Sequence, residues 1–320
     1  MKNIYYIFNF LNLGNILDMK KVDSSQNTVY EVVTSNGKYI LKEYSNDAIN
    51  SVKDLEKRNK QIIVSSTLND NGISTILPLK FQNNYFIHYQ NRYYLIYKYF
   101  DHEILKEDEL TVEHIKALAS TLANIHKLDI KIELDCQYCI IDIDYDNYLQ
   151  TFKNIDLKLY ETLNENILKL KELTNNCNNN IEIVKNNLCI SHNDYKLKNI
   201  LWNNNKMYLI DFDASALSNP IVSLAESAFA LSKQGKNINL DFYKEYLKTY
   251  FSIFHDTIDY KVALSVAMNG KLQWLQYLFS KCNRGDLEAI NGSISMMTEL
   301  MLFMNNFDKL YEIYLELMRV

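Results

Sequence analysis

No apolar run in this chain of 320 residues approaches the roughly 18 to 20 residues that a bilayer-crossing helix requires, so no membrane partner is expected. The opening stretch MKNIYYIFNFLNLGNILDMKK is interrupted by polar and acidic residues and lacks the pattern of a cleavable signal, which makes a cytoplasmic location the expectation. An excess of basic charge is missing too. The 34 Lys and Arg stand against 39 Asp and Glu, for a formal charge of -5. Such a balance gives no support for nucleic-acid binding, whereas a mildly acidic surface suits a cationic small molecule. Cysteines are few, odd in number and scattered: Cys136, Cys139, Cys177, Cys189 and Cys282. That excludes a disulfide framework and implies reduced thiols. Cys136 and Cys139 form a single CxxC, but no second pair or neighbouring histidine completes a zinc site. Two prolines and seven glycines, beside abundant Asn, Lys, Ile and Tyr, read as base-composition bias. Internal repeats and coiled-coil heptads are also absent.

What is present is an ordinary globular composition, 48% hydrophobic and 23% charged, able to bury one large core or two medium ones. From Thr28 to about Phe100 the pattern is an antiparallel meander. Strands Thr28 to Thr34 and Lys38 to Tyr44 flank Ser35-Asn36-Gly37, whose Asn-Gly pair is a strong hairpin signal. Ala48 to Asn71 has helical spacing, with Val52, Leu55, Ile62, Ile63 and Leu68 near one face and Gly72 placed to end the element. Leu77 to Leu79, Tyr85 to Tyr89 and Tyr93 to Tyr99 complete a small sheet. Beyond Phe100 the spacing predicts helices over Thr111 to Leu128, about Asp144 to Leu173, Ser223 to Ser232, Asp241 to Phe254 and Tyr260 to Lys281, with two more to the end. The stretch Asn175 to Asn180 reads as a loop. Short β pieces interrupt the helical region at Leu188 to Ser191, Ile200 to Trp202 and Lys206 to Ile210. The expected fold is α+β, with a small antiparallel sheet (1-100) followed by a mostly helical region (101-320).

The interruption carries the chemistry. It reads Ser191-His192-Asn193-Asp194-Tyr195-Lys196-Leu197-Lys198-Asn199, then Leu209-Ile210-Asp211-Phe212-Asp213. Phosphoryl transfer needs a carboxylate to orient the attacking hydroxyl and oxygen ligands to hold magnesium on the phosphates. A His-x-Asp-x4-Asn loop followed by a strand ending in Asp supplies both, and hard Mg²⁺ prefers such oxygens. Singly, Asp194, Asn199, Asp211 and Asp213 could be turn or cap residues. Jointly, at this spacing and after a lysine-bearing hairpin, they point to a kinase.

On these residues the chain resembles the aminoglycoside phosphotransferase and choline kinase superfamily, in its uncharacterised bacterial branch, with the two-lobed protein-kinase-like fold. The resemblance spans almost the whole chain. It implies that Asp194 is the catalytic base, that Asn199 and Asp211 bind magnesium, and that His192 braces the loop. Lys196 takes the place of a lysine near the transferred phosphate, with a solvated loop lysine as the alternative. In the N-terminal lobe Lys42 matches the strand lysine on the α- and β-phosphates. Ser24, Ser25 and Asn27 occupy the phosphate-covering loop, which here lacks glycine, and backbone groups of the Tyr97 to Phe100 segment, Tyr97 and Tyr99 included, would meet the nucleobase. The helix glutamate that usually pairs with the lysine is missing: Gln61 falls near its position and Glu56 lies on another face. His88, His102, His114, His126 and His255 show no metal-ligand spacing, and His126 reads as packing at its helix end. Trp274 and Tyr277 read as helix-packing aromatics, and Glu226, Asp286 and Glu288 as solvated charges that could meet an amine. The implied reaction moves the γ-phosphate of ATP or GTP, with Mg²⁺, to a hydroxyl of a cationic small molecule such as an amino sugar or choline. A catalytically idle, kinase-shaped binding protein related to spore-coat components is the alternative. No oligomeric state follows from the sequence.

Overall fold

The computed structural model describes residues 2–22 and 27–319. Along the chain run α1 (Lys2–Phe10), β1 (Ile16–Val22), β2 (Thr28–Thr34), β3 (Gly37–Glu43), α2 (Val52–Asp70), β4 (Ile87–Tyr89) and β5 (Arg92–Lys98). Then come α3 (Val112–Lys127), α4 (Tyr145–Phe152), α5 (Leu157–Val184), β6 (Cys189–Ser191), β7 (Ile200–Asn203), β8 (Lys206–Leu209) and β9 (Ala216–Ser218). The remainder is α6 (Pro220–Leu231), β10 (Lys233–Gln234), β11 (Asn237–Ile238), α7 (Leu240–Phe251), α8 (Tyr260–Val266), α9 (Asn269–Cys282) and α10 (Leu287–Met318). The class is α+β. By packing, the chain divides into one unit of Met1–Ile104 with Asn199–Ala214 and a second of Leu105–Lys198 with Ser215–Val320.

The first unit is built on an antiparallel sheet ordered β1-β2-β3-β5-β4. Alternation along the strands separates two cores. Leu41, Tyr94 and Ile96 pack with Ile4, Ile7 and Phe8 of α1 on one side; Tyr44 and Leu95 pack with Ile49 and Ile62 on the other. Lys42, cross-strand from Leu95, therefore points to the side of α2. The hairpin closes with Thr34 opposite Gly37, so Ser35 and Asn36 form the turn. Gly37 starts the strand at φ 140, a conformation glycine tolerates. Ser51 caps α2 by accepting from Asp54 N, and Gly72 at φ 87 lets the chain leave the helix.

Several expectations needed correction. Helix α1 and strand β1 were not foreseen. Leu77 to Leu79 is no strand, because Pro78 has no N–H to donate, although Leu79 N still donates to Ile96 O at 2.7 Å. Asn175 to Asn180 lies inside the 28-residue α5 rather than in a loop. Leu170, Leu173, Cys177, Ile181 and Val184 recur on its buried face, and Asn178 spends its amide on Ile141 N and O. Packing and those bonds outweigh the weak helix propensity of asparagine. The single pattern over Tyr260 to Lys281 is α8 and α9, while the expected final pair is the one 32-residue α10.

Side-chain caps fix the starts of most of the second unit's helices. Thr111, Asp144, Asp156, Asn239, Asp259 and Asp286 each accept a backbone N–H of the first turn, typically worth about 1 kcal/mol apiece. Among the described residues no helix is long and apolar enough to cross a membrane.

Candidate active site

In the first unit, Lys42 lies in a central strand and is only 8% exposed. Its Nζ reaches Asp211 Oδ1 and Asp213 Oδ2, both at 2.8 Å. Burial works against the ammonium, but Asp213, Tyr44 and Asp211 together raise its pKa well above the ordinary lysine value. Asp213 is engaged at every polar atom of its carboxylate and at its carbonyl. Tyr44 donates its hydroxyl to Oδ1 at 2.8 Å, and Asn27 Nδ2 lies 3.4 Å from Oδ2. Arg58 Nη1 and Gln61 Nε2, both from α2, donate to the Asp213 carbonyl at 2.6 Å. Burial opposes ionisation of Asp213, yet Lys42 and Arg58 hold its pKa below the usual carboxylate value.

Asp211 differs from Asp213. Its side chain is 41% exposed, and its backbone sits at φ 60, a left-handed conformation that costs a non-glycine residue free energy and recurs at functional turns. Strand β8 delivers it there. Leu209 N donates to Ser74 O at 2.9 Å and Ile76 N to Leu209 O at 3.1 Å, while Ile210 N donates to Asn199 O at 3.1 Å. That last bond ties the two expected metal ligands together through the backbone. Asn199 itself is buried.

The other predicted residues of this unit fall as follows. Ser24 and Ser25 lie outside the described residues. Asn27 is on the Asp213 carboxylate, and its Oδ1 accepts from Ser45 N. Tyr97, across from Ile40, lines a recess with Gln61, Ile76, Asp211 and Asp213. Tyr99 donates its N–H to Lys38 O at 2.9 Å, and its ring lies under the Lys38 ammonium. Glu56 is exposed; the carboxylates that meet Lys42 come from Asp211 and Asp213 instead.

In the second unit, the loop after β6 is held from several sides. His192 is buried, and its Nδ1 accepts from Asp194 N at 3.3 Å. Asn193, at φ 57, accepts from the Ser218 hydroxyl at 2.7 Å, and Tyr195 donates its hydroxyl to Leu118 O at 3.0 Å. The Asp194 carboxylate, 20% exposed, has Lys196 Nζ at 2.6 Å and Lys198 Nζ at 3.6 Å. Burial would raise its pKa, but Lys196 and then Lys198 outweigh burial and lower it to about 2. Lys196 is therefore an ion-pair partner of Asp194, with its side chain still 42% exposed.

Lys271 was not singled out from the sequence. It is 4% exposed, 3.2 Å from Glu299 Oε1 and 3.9 Å from Glu226 Oε1. Burial raises the pKa of Glu226; at Glu299 burial is overcome by Lys271 and Lys233 and the pKa falls. Glu226 is thus not a solvated helix charge. Asp286 caps α10, and Glu288 is exposed. Trp274 is half-buried and stacks on an exposed Tyr277 at 4.9 Å between centroids, so this pair lies at the surface rather than in a helical core. His126 is buried, with Nδ1 2.7 Å from the Tyr250 hydroxyl and Nε2 3.3 Å from Ser191 Oγ.

Solved structures share this fold. Spectinomycin phosphotransferase APH(9)-Ia, solved with ADP and spectinomycin, matches with a TM-score of 0.67 at 14% identity, over 93% of this chain and 96% of that one. A microcompartment-associated aminopropanol kinase gives 0.65 at 12%, over 96% and 98%. The amicoumacin kinase hAmiN, solved with AMP-PNP, Ca²⁺ and Ami, gives 0.59 at 14%, over 95% and 92%. No curated protein matches in sequence. The fold is therefore protein-kinase-like, as small-molecule phosphotransferases have it. Residues 18–255 match the phosphotransferase enzyme family, and the chain belongs to that family.

Proposed function

We propose that this enzyme transfers the γ-phosphate of ATP, or GTP, to a hydroxyl of a small amine-bearing molecule, an amino sugar or amino alcohol. The observation that carries the reading is the Lys42 ammonium held on Asp211 Oδ1, in a chain whose His192-x-Asp194-x4-Asn199 loop precedes that aspartate. Spectinomycin, aminopropanol and amicoumacin in the names of the structural relatives support an amine-bearing acceptor.

Residues 1–100 would serve the nucleotide. Lys42 neutralises charge on the α- and β-phosphates, Ser24, Ser25 and Asn27 supply the covering loop, and the Tyr97 to Tyr99 segment meets the base. Residues 101–320 would supply the catalytic loop and the acceptor site. The donor set of Asn199 and Asp211 fits a hard divalent cation: both offer oxygen, Asp211 is exposed, and its Oδ2 takes no hydrogen bond among the described residues. Two protein oxygens leave the remaining positions of Mg²⁺ for phosphate and water. Bound there, the ion would offset charge on the transferring phosphoryl group.

Asp194 accepts a hydrogen bond from the acceptor hydroxyl and aims its oxygen at the γ-phosphorus. The new O–P bond forms as the bond to the β–γ bridging oxygen breaks, the nucleoside diphosphate departs, and the hydroxyl proton passes to the Asp194 carboxylate. A carboxylate with a pKa of about 2 is a weak base, so its main contribution is orientation, which suits a loose transition state that needs little proton abstraction. Lys196, paired with that carboxylate, stands where it can balance developing charge.

The test is Mg²⁺-dependent release of ADP from ATP, or of GDP from GTP, across amino sugars, choline, ethanolamine and homoserine, for the native chain and Asp194→Ala. Turnover with one acceptor that disappears in Asp194→Ala supports the reading. Failure to bind nucleotide with or without Mg²⁺ would sink it.

A further inference from the structure

In protein kinases the lysine that grips the nucleotide is oriented by a glutamate from the neighbouring helix. Here that helix, α2, brings Arg58 and Gln61 instead, and both donate to the carbonyl of Asp213. The carboxylate of Asp213 lies 2.8 Å from Lys42 Nζ, with its other oxygen fixed by the Tyr44 hydroxyl at 2.8 Å. The charge pattern is therefore inverted. The helix supplies donors, the 211–213 segment supplies the anion, and the lysine still ends against a carboxylate.

We propose that Asp213 is the positioning residue of Lys42, replacing the absent helix glutamate, and that Arg58, Gln61 and Tyr44 hold Asp213 in register for that task. The inference rests on Lys42 being the phosphate-binding lysine. Two carboxylates compete for Lys42, and their settings assign different roles. Asp211 is the more exposed and keeps one oxygen open, as a metal ligand must. Asp213 is half-buried with both oxygens engaged, as a permanent counter-ion must be. Neutralising Asp213 leaves Lys42 with Asp211 alone and draws the lysine towards the metal ligand.

A double-mutant cycle reads this directly. Asp213→Asn keeps the shape and the acceptor for Tyr44 but removes the charge. ADP is the probe, titrated calorimetrically at saturating Mg²⁺ into native chain, Asp213→Asn, Lys42→Met and the double variant. Asp213→Asn is expected to weaken ADP on the order of tenfold, the size of one charge-assisted hydrogen bond. The Mg²⁺ concentration for half-maximal binding stays unchanged, and the loss disappears in the Lys42→Met background. Equal loss in both backgrounds, or a raised Mg²⁺ requirement, overturns the inference, since the carboxylate then acts apart from Lys42 or as a metal ligand. If circular dichroism shows Asp213→Asn unfolded, Asp213→Glu enters the same cycle, where coupling to Lys42 supports the inference and additivity overturns it. Unchanged ADP affinity in Lys42→Met would remove the phosphate role of Lys42 itself, and this inference with it. A silent Asp213→Asn beside a weakened Lys42→Met removes this inference alone.

Discussion

Lys196→Met separates two roles that the lysine could play. In the native chain its Nζ sits 2.6 Å from Asp194 Oδ1. Holding that carboxyl at about 2 rather than 3.8 favours the anion by about 2.5 kcal/mol, at about 1.4 kcal/mol per pH unit. The folded-state value is depressed, so this contribution to stability is fully present above pH 3.8 and is lost as pH falls through about 2. Once Lys196 is removed, burial, the largest influence, is opposed chiefly by Lys198 at 3.6 Å, which is more exposed. The Asp194 pKa must then rise. The assay is kcat/KM against pH with a saturating nucleotide, beside ¹³C NMR titration of the carboxyl carbon. The native chain shows no acid limb from Asp194 down to about pH 4, whereas Lys196→Met shows one at higher pH. A lysine that acts only on developing phosphoryl charge would lower kcat at every pH and leave the limb in place. An unmoved Asp194 titration in the variant would refute the ion-pair reasoning.

Asp211→Asn should raise the Mg²⁺ concentration needed for half-maximal ADP binding by at least about tenfold, measured calorimetrically, because a ligand anion is lost. Lys271→Met removes the cation that Glu226 and Glu299 share and leaves Lys233, 3.3 Å from Glu299, as the remaining partner; the expected loss in urea unfolding is about 2 to 3 kcal/mol at pH 7, kept below the fully buried case by that partner and by the partial exposure of both carboxylates. Glu299 has a depressed folded pKa, so the native pair itself weakens as pH falls and the deficit of the variant shrinks in acid. His126, whose pKa burial lowers from 6.5 to about 3, is neutral when folded and protonates when unfolded. It therefore costs stability progressively as pH falls from 6.5 towards 3, and His126→Gln should flatten that slope in acid-unfolding titrations.

Features that depend on neighbours in sequence were legible beforehand. The β2–β3 hairpin, α2 and the short strands around the loop each carry local signals of turn chemistry and period, and they appear within a few residues of expectation. The Asn175 to Asn180 error shows the limit. Composition suggested a loop, but Leu173, Cys177 and Ile181 continue the buried face through the asparagines, so period was the better guide than residue type. Lys271 reads as one more surface lysine in sequence, because its partners lie on other helices. The carboxylate of Asp213 meets Lys42 across 171 positions, and no short-range pattern announces such a pairing. Arg58, not singled out from the sequence, lies three residues before Gln61 on one helix face, and that spacing is the one local signal that accompanies the pairing.

Placing the counter-ion of Lys42 on the segment that carries the proposed metal ligand would have a physical consequence. A glutamate on α2 would let the helix swing the lysine into or out of place, so that helix position and nucleotide grip could vary together. With Asp213 in that role, the lysine and the metal ligand are both referred to the turn after β8, only two residues apart. Movement of α2 then reaches Lys42 through Asp213, at whose carbonyl Arg58 and Gln61 each hold at 2.6 Å, and through the packing of Ile62 with Tyr44 and Leu95. Those bonds are to a backbone oxygen and are indifferent to whether phosphate or Asp211 shares the ammonium. The arrangement favours a nucleotide site that is preorganised by the turn, with α2 as its brace, over one assembled by helix motion.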